Sequence, residues 1–309
     1  MATTLTNMID EVSMNLSGYT LTQDRSTYLK SAITAVASSS ASPTSLSLGS
    51  TDNVGKGIVE IDEELLWIDT YDRVGNTATV APYGRAYLGT TLAAHAADAK
   101  VTISPTFPRF TIKRAINDTI TALGSSIFAA TTTTITSNAA VAAFRLPTTG
   151  ATLNIRDVLA IAYESIGASK EWIPIRSWRL DNNANTTAFT SGQSISIYDI
   201  IPSGRTIQIV YAKEPAVFTT NAEEFSTQTG LPDSCKDLTI LGATYRLLTN
   251  LDPARAAMVS PQADETDSKR PYGSSQSLTK NIYALYNQRL AEEIRKQQDK
   301  HPIRVHYSL

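Results

Sequence analysis

Apolar positions along the chain keep two different periods, and the changes between them divide it into segments. Leu5, Met8, Ile9, Val12 and Leu16 recur at helical spacing and the run stops at Gly18, which predicts a short first helix. Tyr28, Leu29, Ala32, Ile33 and Val36 repeat the spacing after Thr22, a candidate N-cap, and predict a second. The stretch from Ser38 to Ser45 reads as a linker. From Ser45 the period becomes two. Ser45 to Leu48, Ile58 to Ile61, Leu65 to Ile68, Ala78 to Val80 and Val101 to Ile103 predict short strands, with turns at Gly49, Gly75-Asn76 and Tyr83-Gly84. Thr106-Phe107-Pro108 then starts a helix whose stripe is Ile112, Ile116, Ile120, Leu123 and Ile127.

A second β region follows, with predicted strands at Val141 to Leu146, Val158 to Ser165, Trp172 to Leu180, Ser194 to Ile200 and Thr206 to Lys213. Their spacing is that of a sandwich. After Gly230-Leu231-Pro232 the helical period returns at Leu238, Leu241, Tyr245 and Leu248, and Leu251-Asp252-Pro253 breaks it. A polar connection from Ser260 to Ser275 leads to a long final helix marked by Leu278, Ile282, Leu285, Tyr286, Leu290 and Ile294. Pro302 stops that helix, and beyond it Ile303, Val305 and Tyr307 alternate with Arg304 and His306 as in a strand.

These segments predict an α+β fold: a helical connector scaffold with two inserted β modules, one a small barrel or sheet and the other a sandwich, and an extended C-terminal tail. The expected organisation is a helical pair over 1–40, a small β domain over 45–105, a central helix over 106–130, a sandwich over 131–220, C-terminal helices over 230–300 and a tail over 301–309.

Composition narrows the class. Hydrophobic residues make up 42% and charged residues only 18%, below the roughly 25% typical of soluble domains. Such a surface suits a subunit that covers much of itself with neighbours. The net charge of −2 gives no sign of nucleic-acid binding. The one basic region, Lys269 to Arg304, holds eight Lys and Arg against three Asp and Glu. A single cysteine, Cys235, excludes an intrachain disulfide and a thiolate metal cluster. The first residues have no signal-peptide pattern and no window is apolar enough to span a bilayer, so a protein made in the cytoplasm is expected, with no membrane partner.

Motifs for chemistry are missing: there is no nucleophile elbow, dinucleotide fingerprint, phosphate-binding loop or His-Glu-x-x-His. Of three histidines, only His95 could anchor a triad. Glu60, Asp62, Glu63 and Glu64 form the densest acidic cluster, ahead of Glu223-Glu224. At a hairpin turn the first cluster is expected to solvate a reversal, and His95 to pack or cap. Trp172 and Trp178, six apart on one predicted strand, would share a face, as core or as a sugar platform. The expectation is no catalytic residue, no metal and no cofactor.

Ile58 to Ile68, followed by Arg85-Ala86-Tyr87-Leu88-Gly89-Thr90 and Ala94-His95-Ala96-Ala97-Asp98, resembles a pattern in tailed-phage virion proteins. There an acidic hairpin precedes Arg-Gly-aromatic-x-Gly-Thr and Ala-Ala-His-Ala-x-Gly stretches and a closing strand. Ala86 and Asp98 stand where that pattern has its flanking glycines, and Arg85, Gly89, Thr90 and His95 are the matching motif residues. Leu231-Pro232-Asp233 leading into Leu241 to Leu248 is similar to a helix of phage head-to-tail connectors.

The resemblance implies a virion neck protein at the head-tail interface, forming a homo-oligomeric ring of about twelve copies beneath the portal. It implies contacts with portal protein, with tail or neck proteins, and with viral DNA that passes through the channel without sequence-specific binding. Ile303, Arg304, Val305, His306, Tyr307 and Leu309 would form the portal-docking tail. Alternatives are a tail-tube or baseplate structural protein and a glycan-binding receptor module built on Trp172 and Trp178.

Overall fold

The computed structural model describes residues 3–18, 24–35, 44–138, 140–146, 155–167, 170–249 and 274–302. The predicted tail residues Ile303 to Leu309 and most of the polar connection from Ser260 to Ser275 lie outside them. The chain divides into two compact units, one of Leu5–Asn117 and Ile240–Tyr283, the other of Met1–Thr4, Asp118–Thr239 and Ala284–Leu309.

The first unit opens with α1, Leu5–Ser17, which buries Leu5, Met8, Ile9, Val12 and Leu16, the stripe that the spacing predicts. Six antiparallel strands follow: β1 Arg25–Tyr28, β2 Ser45–Ser47, β3 Gly57–Ile61, β4 Glu64–Asp72, β5 Thr77–Val80 and β6 Lys100–Ile103. Their order is β1-β6-β3-β4-β5-β2. Backbone bonds from Lys30 N to Ser47 O and from Gly49 N to Tyr28 O, both 2.8 Å, join the two outer strands and curl the sheet back on itself. Curling removes free edges and encloses Leu29, Leu46, Val59, Ile61, Leu66, Ile68, Val80 and Val101.

No second helix forms between Thr22 and Val36 in the described residues. Arg25–Tyr28 is a strand paired with β6, Leu29 bridges Leu48 and Ile33 bridges His95. The spacing misleads for a physical reason: residues four apart share a face in a helix and in an extended chain alike, so Leu29 and Ile33 fit both. The helix α2, Arg109–Leu123, starts just past Pro108, close to the predicted start, but Thr106 does not cap it: its N–H and hydroxyl donate to Asp24 Oδ1.

The second unit is a two-sheet sandwich. The strands β7 Ala129–Thr136, β9 Ile155–Glu164, β10 Trp172–Pro174 and β13 Thr206–Lys213 make one sheet in the order β10-β9-β13-β7. The strands β8 Ala143–Arg145, β11 Trp178–Asp181 and β12 Ser194–Ile197 make the other, in the order β11-β12-β8. Between them lie Leu146, Val158, Ile161, Ile195, Ile207, Ile209 and Tyr211. Among the described residues, three further α-helices are α3 Phe225–Thr229, α4 Lys236–Leu248 and α5 Ser274–Lys300.

Trp172 and Trp178 do not share a strand. Pro174 has no N–H for a ladder, and after it the chain leaves β10 and enters β11 in the opposite sheet, so a single sugar platform from the two rings loses its basis. The expected helical connector scaffold is likewise overturned: helix and strand occur in about equal share, and antiparallel sheets hold the buried clusters.

Candidate functional site

The motif residues converge on one buried carboxylate. Glu64 opens β4 with its side chain wholly buried. Its Oε1 accepts from Arg85 Nε at 2.7 Å and from Ala86 N at 2.9 Å. Its Oε2 accepts from Arg85 Nη2 at 2.9 Å, Ala93 N at 3.1 Å and His95 Nε2 at 2.9 Å. Burial alone would raise its pKa, but the donors from His95, Arg85, Ala86 and Ala93 outweigh it and set the value at about 2.

Arg85 also donates from Nη1 to Thr34 O and from Nη2 to Ala93 O, at 3.2 and 2.6 Å. His95 lies between two acids, with Nε2 on Glu64 and Nδ1 2.7 Å from Asp62 Oδ2. Both ring nitrogens face carboxylate oxygens, which only accept, so the imidazolium donates through both. Burial works against that charge, yet the two carboxylates prevail and raise the His95 pKa. Backbone bonds of 2.9 Å in each direction tie His95 to Ile33.

The remaining motif positions shape the loop. Thr90 Oγ1 accepts from Leu65 N at 3.1 Å and donates to Tyr87 O at 3.0 Å. Gly89 sits at φ +80 with open space around its missing Cβ. Ala86 and Asp98 also have positive φ, 51° and 66°. These are the two positions where the resembled pattern carries glycine, and the backbone shows why, since a left-handed residue without a Cβ meets no clash there.

The neighbouring acids do not merely solvate a turn. Glu60 is buried on β3, and its Oε1 accepts from Arg109 N at 2.5 Å, capping α2 from another element. Burial pushes the Glu60 carboxyl up to about 7 against the donors at Arg109 and Phe110. Glu63 pairs with Lys113 at 3.2 Å, and Asp10 with Arg109 at 2.6 Å. The alternation of β3 and β4 hid this, because apolar-pattern reading sends acids outward. The signal available was the distant Arg85 and His95, which supply the balancing charges.

Chemically the site is a clamp. Glu64 is saturated by five donors and held ionised, so it has no free lone pair aimed at a substrate. Among the described residues no group of three or more His, Cys, Asp and Glu side chains could hold a metal ion.

A second polar centre lies in the sandwich unit. Glu293 of α5, 3% exposed, accepts from Ser234 Oγ at 2.8 Å and Lys296 Nζ at 2.6 Å. Cys235 stands 3.8 Å from it, and burial with that carboxylate pushes the thiol up to about 12. The Gln297 amide brackets Phe128, donating to its carbonyl at 2.6 Å and accepting from its N–H at 3.2 Å.

Residues 86–305 match the model of the SU10 adaptor protein family, a span that takes in Gly89, Thr90, His95, the whole sandwich, and α3 to α5. The chain belongs to the SU10 adaptor protein family. No curated protein matches it. The SU10 adaptor family is of phage adaptor type, so the chain is a virion component with a structural role. In this SU10 adaptor protein the Glu64 clamp ties β4 to the loop that carries Arg85, Ala93 and His95.

Proposed function

We propose that this SU10 adaptor protein is a head-to-tail adaptor that assembles as a ring beneath the portal, joins capsid to tail and surrounds the DNA passage. The family match over residues 86–305 carries this reading. Three features support it. The charge content is low for a free-standing soluble protein. The sandwich exposes Ile166, Trp172, Tyr198 and Ile200, apolar surface suited to neighbours. The last residues, Ile303 to Leu309, alternate as a strand that adds to a partner's sheet would, with ring avidity multiplying a weak single contact.

Light scattering after size exclusion, on the chain alone and mixed with portal, tests the proposal. A ring of about twelve copies, or a portal complex with that stoichiometry, is expected. Deleting Pro302 to Leu309 should leave a folded chain that no longer joins filled heads. A chain that stays monomeric and ignores portal, or a tail deletion that yields normal infectious particles, overturns it.

A further inference from the structure

The two ends of the sandwich differ, and both belong to one compact unit. At the far end Ser137, just past β7, uses its hydroxyl to accept from Arg205 N at 2.9 Å and to donate to Pro202 O at 2.6 Å. Tyr198 N donates to Ser177 O at 2.9 Å, and Ile201 packs against the core between the sheets. The connection from β12 to β13 is thus pinned on both sides of Ile200. Its side chain is nevertheless 99% exposed, and that of Tyr198 62%. Apolar side chains held in water by an anchored loop mark a contact site.

At the near end, where β7 begins, lies a cavity of about 390 Å³ with Ile127, Phe128 and Leu231 in its lining. That volume is in the range of pockets that bury a ligand. The one carboxylate lining it, Glu293, is taken up by Ser234 and Lys296. Lys300, exposed on the same rim, remains to meet an incoming anion. Asp199, between Tyr198 and Ile200, spends Oδ2 on the backbone N–H groups of Arg176 and Ser177, at 2.8 and 3.3 Å. Its Oδ1 is left for such a cation.

We infer that Ile200 of one copy enters the cavity beside Phe128 of the next copy, with Asp199 set against Lys300. The occupant is a second copy because a chain cannot reach its own cavity: the eight residues of β7 that separate the two ends span about 26 Å. An apolar anchor in a pocket, rimmed by a charge pair, is the arrangement that carries most of the energy of a protein interface. A contact between opposite ends of one sandwich is head-to-tail, and repeated around an axis it closes a ring. Such a contact rests on the ring reading proposed above and forms its joint.

Two full-length variants with one defect each test the contact. Ile200→Asp charges the exposed side chain, and Ala130→Trp, at an exposed lining position, fills the cavity mouth; both should melt like the unmutated chain. Each should weaken ring assembly, alone or with portal, by roughly tenfold or more, the loss expected for one apolar side chain left unburied, while Ile200→Leu keeps the ring. Mixed in equal amounts, the first variant still offers a cavity and the second an Ile200. They should pair as a dimer and grow no further, read by light scattering after size exclusion. A mixture that behaves as the separate variants overturns the contact, as does a ring that Ile200→Asp leaves unchanged. Loss of portal binding by Ala130→Trp with the ring intact assigns the cavity to portal and also overturns it. A full chain that forms no ring, alone or with portal, overturns the ring reading and the contact together, so the two failures are told apart.

Discussion

Glu64 Oε2 and His95 Nε2 lie 2.9 Å apart, both buried, and join β4 to the far end of a loop thirty-one residues away. Removing one partner of a buried, hydrogen-bonded charge pair costs about 3–5 kcal/mol, because the other charge is stranded. Glu64→Ala should lose that much in chemical denaturation, with Arg85 left as the stranded cation.

The same pair sets an acid and an alkaline limit. Glu64 has its pKa lowered to about 2, so its stabilisation is present above the ordinary carboxylate range and is lost as pH falls toward 2. His95 has its pKa raised, so its contribution is full below about 6.5 and is lost as pH rises through the folded value. The stability gap between the protein and His95→Gln should therefore be wider at pH 6 than at pH 9, measured by urea melts. A gap independent of pH would show that the ring acts without its charge.

Glu60 runs the opposite way. Its pKa is raised to about 7, so the fold binds a proton that the unfolded chain releases, and stability falls as pH rises from about 4.5 to 7. Gln keeps an acceptor for Arg109 N without a charge. Glu60→Gln should match the protein near pH 4.5 and exceed it at pH 8 by a margin on the order of 1–3 kcal/mol.

The left-handed backbone at Ala86, φ 51°, gives a simple gain of stability. Ala86→Gly relieves the Cβ clash but adds unfolded-state freedom, and should stabilise by up to about 1 kcal/mol. Asp98→Gly should gain less, because aspartate tolerates φ > 0 better than alanine. Thermal melts of the two single variants read the order.

Gly230 tests the sandwich unit. It ends α3 at φ +71, and a Cβ there would stand 2.9 Å from Ala129 Cβ. Gly230→Ala combines left-handed strain with a clash and should cost about 2–3 kcal/mol.

Much of this fold is legible from period alone. The stripe Leu5 to Leu16 and the alternation at Thr206 to Lys213 are buried much as their patterns demand, whereas on β3 Glu60 is buried against its pattern. The strand β7 is hidden because four consecutive threonines give no apolar alternation. Residues 25–28 are misread because Leu29 and Ile33 suit two periods at once. For the site, Arg85, Gly89, Thr90 and His95 are recognisable as a motif, but their common partner Glu64 is not. A carboxylate inside a sheet runs against the polarity pattern, and only the cations brought by a distant loop make its burial affordable.

The protein's single thiol, Cys235, is buried beside the Glu293 carboxylate with its pKa pushed up to about 12. Thiolate is the reactive form, so this native group stays silent toward maleimides near neutrality. A cysteine placed at any surface position becomes a unique handle for fluorophores or spin labels, with no need to mutate the background.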